Sequence, residues 1–245
     1  MVDSQSTQSE LSTPPTTSPS KSIRHITKIT IKPRIPTLKK AAQLVTLYAG
    51  KSKEKFIVHK EFACHYSPVL DAAFKSDFVE GQTQEYRFED SSVEAVRLLV
   101  HWFYTQMLDI IDPTELVDEH VEGVIERALN QDMALIKLWV LAEKLLIPRL
   151  QNFVIDEMER CGKIICRVPV QCFKEAYEKT SPGSPLRRFL VDDCGWYLVP
   201  EWYSKESNAF PSEMLIDLVT KLADTVESRT MAPGYDMTRY YVSEA

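Results

Sequence analysis

Hydrophobic and polar residues alternate with a period of two in three short stretches of the N-terminal half, and recur every three to four residues through most of the C-terminal half. Val45, Leu47 and Ala49 alternate with Thr46 and Tyr48, the polar run Gly50-Lys51-Ser52-Lys53-Glu54 supplies a turn, and Phe56 and Val58 resume the alternation. This pattern predicts a β-hairpin. Ser67-Pro68 then offers a hydroxyl cap followed by the residue best tolerated in a first helical turn, with Val69, Leu70, Ala73 and Phe74 on one helical face. Glu85-Tyr86-Arg87-Phe88-Glu89 alternates as a third strand. Ser91, three residues before Glu94, reads as a capping box for a helix whose buried side carries Val93, Val96, Leu99, Val100 and Phe103.

Helical periodicity dominates the rest. Leu135, Leu138, Trp139, Ala142, Leu145 and Leu146 predict an amphipathic helix from Met133, Pro148 ends it, and Leu150, Phe153, Val154 and Met158 continue in an antiparallel partner. Beyond Gly162, short helices are expected from Pro169 to Tyr177 and after Ser184-Pro185. A third stripe comprises Leu215, Leu218, Val219, Leu222 and Val226. Trp196, Tyr197, Trp202 and Tyr203 lie between the last two, where a core role is expected in preference to an aromatic binding cage.

From residue 43 to about 160, the order of these pieces resembles the BTB/POZ domain. The resemblance is carried by the hairpin ending in His59-Lys60, the Ser67-Pro68 helix with Phe74, the turn Phe78-Val79-Glu80-Gly81, Tyr86-Arg87-Phe88, the helix closing in Trp102-Phe103-Tyr104, and Ala142-Glu143-Lys144-Leu145-Leu146-Ile147. It is similar in flavour to the fungal members. The implied fold is α+β: a small three-stranded sheet flanked by a helical cluster over residues 43–161, followed by an all-α extension over 162–228. Residues 109–131 interrupt the family pattern. Asp112-Pro113 opens an acidic segment with Glu115, Asp118, Glu119, Glu122 and Glu126, expected as either an exposed helix from Pro113 to about Leu129 or a mobile loop.

The resemblance implies two partner sites. Adaptors of cullin-3-type ubiquitin ligases carry a hydrophobic-x-Glu motif before the third strand, and Phe78-Val79-Glu80 stands at that place. The alternative is that Phe78 packs under its own turn. Dimeric members carry an Asp at the start of the first strand that pairs with the basic residue after the His. Here the region is Leu44, His59 and Lys60, with leucine at the acid's position, so either Lys60 is solvated or the interface differs. The resemblance thus implies protein partners, with a cullin-3 homologue and a second copy of the chain as candidates, or a self-associating scaffold without cullin binding.

Charge changes the picture at the N-terminus. The chain of 245 residues carries a net −6, yet residues 11–53 contain nine Lys and Arg and no acid, which leaves −15 on the remainder. A body this acidic argues against a nucleic-acid-binding fold. Residues 1–22, rich in Ser, Thr, Gln and Pro, read as a disordered tail, and residues 23–42 as a basic arm or linker in which Thr27 to Lys32 alternates like an edge strand. Residues 229–245 are expected as a tail. The sequence has no apolar run of roughly 20 residues and no signal-peptide pattern at its start, so the cytoplasm or nucleus is expected, with Lys39-Lys40 after Lys32 and Arg34 as a candidate import signal.

Catalytic signatures are sparse. Seven glycines form no phosphate-binding loop, and no G-x-S-x-G elbow occurs. Cys161, Cys166 and Cys172 lack a C-x2-C knuckle and a nearby His, which is a poor zinc site. Cys64 and His65 are adjacent on a helix and point apart. Neither an enzyme nor a cofactor is expected; the remaining signal is one of binding.

Overall fold

The computed structural model describes residues 36–117, 123–197 and 199–227. The tail 1–22, the arm as far as residue 35, the centre of the acidic segment and the tail 229–245 lie outside the described residues.

Strand β1 (Leu44–Ala49) is central in a three-stranded sheet of order β2-β1-β3. It pairs antiparallel with β2 (Glu54–His59), Leu44 opposite His59 and Ala49 opposite Glu54. It pairs in parallel with β3 (Glu85–Phe88), Thr46 opposite Glu85 and Ala49 opposite Phe88. Val45, Leu47 and Ala49 are all buried, as period-two alternation requires of a sheet covered on one face. Gly50, at φ 63, takes the left-handed conformation that opens the hairpin loop, and its N–H closes on the Phe88 carbonyl at 3.0 Å.

The parallel β1–β3 pairing needs a crossover, which three short helices provide: α1 (Lys60–Tyr66), α2 (Pro68–Lys75) and α3 (Val79–Thr83). Ser67 fixes the start of α2. Its Oγ accepts from the Leu70 N–H at 3.1 Å and donates to the Leu145 carbonyl at 2.9 Å, so one fully buried hydroxyl caps a helix and ties it to a chain segment 78 residues away.

Helix α4 (Val93–Thr105) is capped by Ser92, which accepts from the Ala95 N–H, and not by Ser91. Glu94 therefore falls one position short of a capping box and instead pairs with Arg97 at 2.7 Å. A single 3-10 turn, Pro113–Leu116, precedes α5 (Val124–Lys144), which begins nine residues before Met133. The reason is that Val124, Ala128, Gln131 and Leu135 already follow the helical period inward. Leu116, Val124 and Ala128 form a small second core with Ile111 and Ile165 against them. The described part of the acidic segment is thus not one exposed helix from Pro113: an irregular stretch to Asp112, the 3-10 turn and the first turns of α5 share it. Gln131, 8% exposed, fastens Ile111 by accepting from its N–H (2.7 Å) and donating to its carbonyl (3.3 Å).

Helix α6 (Pro148–Ile165) returns antiparallel to α5 and runs past residue 161 without a break. After it come α7 (Phe173–Lys179), α8 (Pro185–Tyr197), the short α9 (Pro200–Lys205) and α10 (Ser212–Glu227). Their inner residues, among them Phe173, Leu190, Cys194 and Met214, belong to the same buried apolar cluster as the sheet and α4–α6. The fold is α+β, a small mixed sheet with a helical cluster followed by helices.

Two expectations about the C-terminal helices are corrected. Trp196, Tyr197 and Trp202 are not core residues: they are 82%, 47% and 39% exposed, and only Tyr203 packs inward. The positions that face the core from α8 are already filled by Leu186, Leu190, Val191 and Cys194; Trp196 points away from that stripe, and Tyr197 continues it only at the last residue of the helix, where it stays exposed. In α10, Met214 and Leu218 are buried while Leu215, Val219 and Leu222 face outward.

Candidate partner-binding site

The turn between α2 and β3 is built by local hydrogen bonds. Ser76 Oγ donates to the Ala73 carbonyl at 2.8 Å and accepts from the Phe78 N–H at 3.3 Å. The Phe78 carbonyl accepts from the N–H groups of Gly81 and Gln82, and the Gln82 side chain reaches back to the Asp77 carbonyl. Gly81 permits this fold: a Cβ there would lie 1.8 Å from the Ser76 carbonyl oxygen, so no other residue fits without moving the backbone.

With the backbone thus occupied, the side chains of Phe78 and Val79 turn outward, 76% and 68% exposed. Phe78 does not tuck under its own turn. Glu80 follows in the first turn of α3, half-buried, close enough to Tyr86 that its charge adds to burial, the larger cause, in raising the Tyr86 hydroxyl above its ordinary pKa. Adjacent exposed apolar side chains beside a carboxylate suit a small apolar anchor with a charge-assisted hydrogen bond at its rim.

The family model of the BTB/POZ domain matches residues 39–160, which takes in the sheet, the three crossover helices and nearly all of the α5–α6 pair. Residues 39–160 belong to the BTB/POZ domain family. No curated protein matches the chain. A BTB/POZ domain is a protein–protein interaction module, generally non-catalytic, and it implies protein partners.

In this BTB/POZ domain the second region read from the sequence, Leu44, His59 and Lys60, divides. Leu44 is 48% exposed on the outer face of the sheet, diagonal to Ile57 at 59%. His59 meets the Tyr104 hydroxyl twice: its backbone N–H donates to the Tyr104 Oη at 2.9 Å, and its Nδ1 lies 2.9 Å from the same oxygen. Lys60 turns away from both. Its Nζ donates to the Phe74 carbonyl at 3.0 Å and to Gln84 Oε1 at 2.7 Å, so the cation is held by neutral oxygens inside its own domain. Sequence reasoning missed Gln84 because nothing local marks it: the residue caps α3 at φ 57, a conformation usually given to glycine or asparagine.

Four of the five cysteines are buried or half-buried, and Cys166 is exposed. Burial raises the thiols of Cys64 and Cys161 to about 11 and those of Cys172 and Cys194 to about 12, which keeps them protonated. Among the described residues no group of three or more His, Cys, Asp and Glu is arranged to hold a metal ion, and no helix is long and apolar enough to cross a membrane.

A polar seam joins the domain to the helices beyond it. Asp132 of α5 pairs with Arg167 at 2.6 Å, and Asp193 of α8 lines the same cavity of about 10 Å³ with Cys161 and Gly162. Burial raises both carboxyls to about 6; the Arg167 guanidinium opposes the shift at Asp132, whereas Asp132 and Glu159 add to it at Asp193.

Proposed function

We propose that this chain is a non-catalytic adaptor that docks a cullin-3-type ubiquitin ligase through Phe78, Val79 and Glu80. The observation that carries this reading is the outward display of Phe78 and Val79 on a turn tied by its own hydrogen bonds. An apolar side chain of that size gains on burial in a partner's pocket, and truncating such an anchor typically costs about 2 kcal/mol or more of binding. Glu80 supplies the polar part of the contact. The exposed Trp196, Tyr197 and Trp202 give the C-terminal helices residues of the kind that dominate interfaces, available for a second protein.

A second reading, a self-associating scaffold without cullin binding, is favoured by Leu44 and Ile57, two exposed aliphatic residues on neighbouring strands of the outer sheet face. Sedimentation of the full chain, alone and with the N-terminal region of a cullin-3 homologue, separates the two. The adaptor reading expects a complex with that region that the Phe78→Ala variant does not form. The scaffold reading expects a dimer of the chain alone that Ile57→Lys dissociates, and no complex.

A further inference from the structure

Lys60 and Gln84 bracket the Phe78 turn. Lys60 Nζ donates to the Phe74 carbonyl, one of the carbonyls left without a helical partner at the end of α2, and to Gln84 Oε1. Gln84 Nε2 donates to the same Phe74 carbonyl at 3.2 Å and to the Gly81 carbonyl at 2.5 Å, in the last turn of α3. The Gln84 carbonyl accepts from the Thr46 N–H of β1 at 2.9 Å, and the Lys60 N–H donates to the Gln43 carbonyl at 2.9 Å. One lysine and one glutamine therefore fasten both ends of the 75–83 segment to each other and to the central strand. Between those ends, Phe78 and Val79 are too exposed for their own packing to fix the turn.

We propose that Lys60 and Gln84 are positioning residues that preorganise the Phe78-Val79-Glu80 turn for its partner. The inference rests on the reading of that turn as the docking site. Position 44 is a leucine, and the Lys60 ammonium is taken up by the Phe74 carbonyl and the Gln84 side-chain oxygen beside the turn. The left-handed backbone at Gln84 is disfavoured for a glutamine; three of the clamp's side-chain hydrogen bonds hold it there, together with its own N–H to the Glu80 carbonyl and the Thr46 N–H to its carbonyl. A turn held in its bound conformation before contact keeps the ordering entropy out of the binding free energy.

The test uses the full chain as wild type, Lys60→Met, Gln84→Met and Lys60→Arg, with two readouts: amide hydrogen exchange, and affinity for the N-terminal region of a cullin-3 homologue. In both methionine variants, exchange at residues 78–84 is expected to rise about tenfold, with α5 and α6 unchanged. Affinity should fall about tenfold in parallel. Lys60→Arg retains a cationic donor and should restore both. Unchanged exchange at 78–84 in Lys60→Met overturns the proposal, and so does an increase spread evenly over the whole domain, which marks a merely structural residue. A wild-type chain that ignores the cullin region removes the docking reading, while the exchange data still decide whether the clamp holds the turn.

Discussion

Among the described residues of the BTB/POZ domain the most deeply buried polar side chains are neutral, Ser67 and Gln131, each satisfying backbone groups at a helix end or a connecting segment, and its desolvated carboxyl Asp132 lies at the seam, paired with Arg167. The helices after it bury charge. Arg187 of α8, 4% exposed, donates to the carbonyls of Tyr177 (2.6 Å) and Thr180 (2.5 Å), to the Thr180 hydroxyl and to Glu213 of α10, and lies over the Tyr177 ring. Asp193 sits buried in the seam with like charges for neighbours. Solution conditions therefore act unequally: the neutral hydrogen bonds within the domain are nearly indifferent to pH and salt, whereas buried ions make the seam at Asp132 and the C-terminal helices dependent on both.

Arg187 is where this contrast is most exposed to test. Arg187→Leu strips donors from two buried carbonyls and leaves α7, α8 and α10 without their shared tie, an expected loss of about 3 to 4 kcal/mol in denaturant unfolding. Ser67→Ala removes a cap and orphans the Leu145 carbonyl, for about 2 kcal/mol. The two losses should differ in salt dependence, and equal sensitivity would erase the contrast.

Asp193 gives the next effect, with opposite sign. Its folded pKa of about 6 is above the ordinary carboxylate value, so the stability it contributes is fully present below about pH 4 and is lost as pH rises through about 6. At neutral pH the charge is a penalty. Asp193→Asn should raise stability at pH 7.5 by about 1 to 2 kcal/mol and make the pH profile between about 4 and 7 shallower, Asp132 in the same cavity keeping its own share; an unchanged profile rules out a buried, raised Asp193. The smallest effect is at Trp196: with 82% of its surface in water, Trp196→Ala should cost less than about 0.5 kcal/mol, readable as an unmoved unfolding midpoint.

The same contrast governs what the residues reveal before any fold is known. Val45, Leu47, Ala49 and Phe103 announce their burial because period two or period 3.6 is set locally, and the domain's helices bury one defined stripe. In α10 the apolar arc is wider than the contact, so the period predicts the helix while the choice of Met214 and Leu218 over Val219 depends on where α8 stands. The aromatic run from Trp196 misleads for a related reason, since composition says nothing about which core positions are already filled. At the candidate site, Phe78, Val79 and Glu80 are legible as a motif. The Lys60–Gln84 clamp is not, because it joins residues 24 apart and depends on a left-handed glutamine.

Docking through Phe78, Val79 and Glu80 is met head-on by titrating the full chain into the N-terminal region of a cullin-3 homologue in a calorimeter, with Phe78→Ala and Glu80→Ala beside it. The expected dissociation constant is about 1 μM or tighter, weakened about thirtyfold by Phe78→Ala and about fivefold by Glu80→Ala. Absence of binding heat at two temperatures, or binding that both variants leave intact, would refute this docking surface.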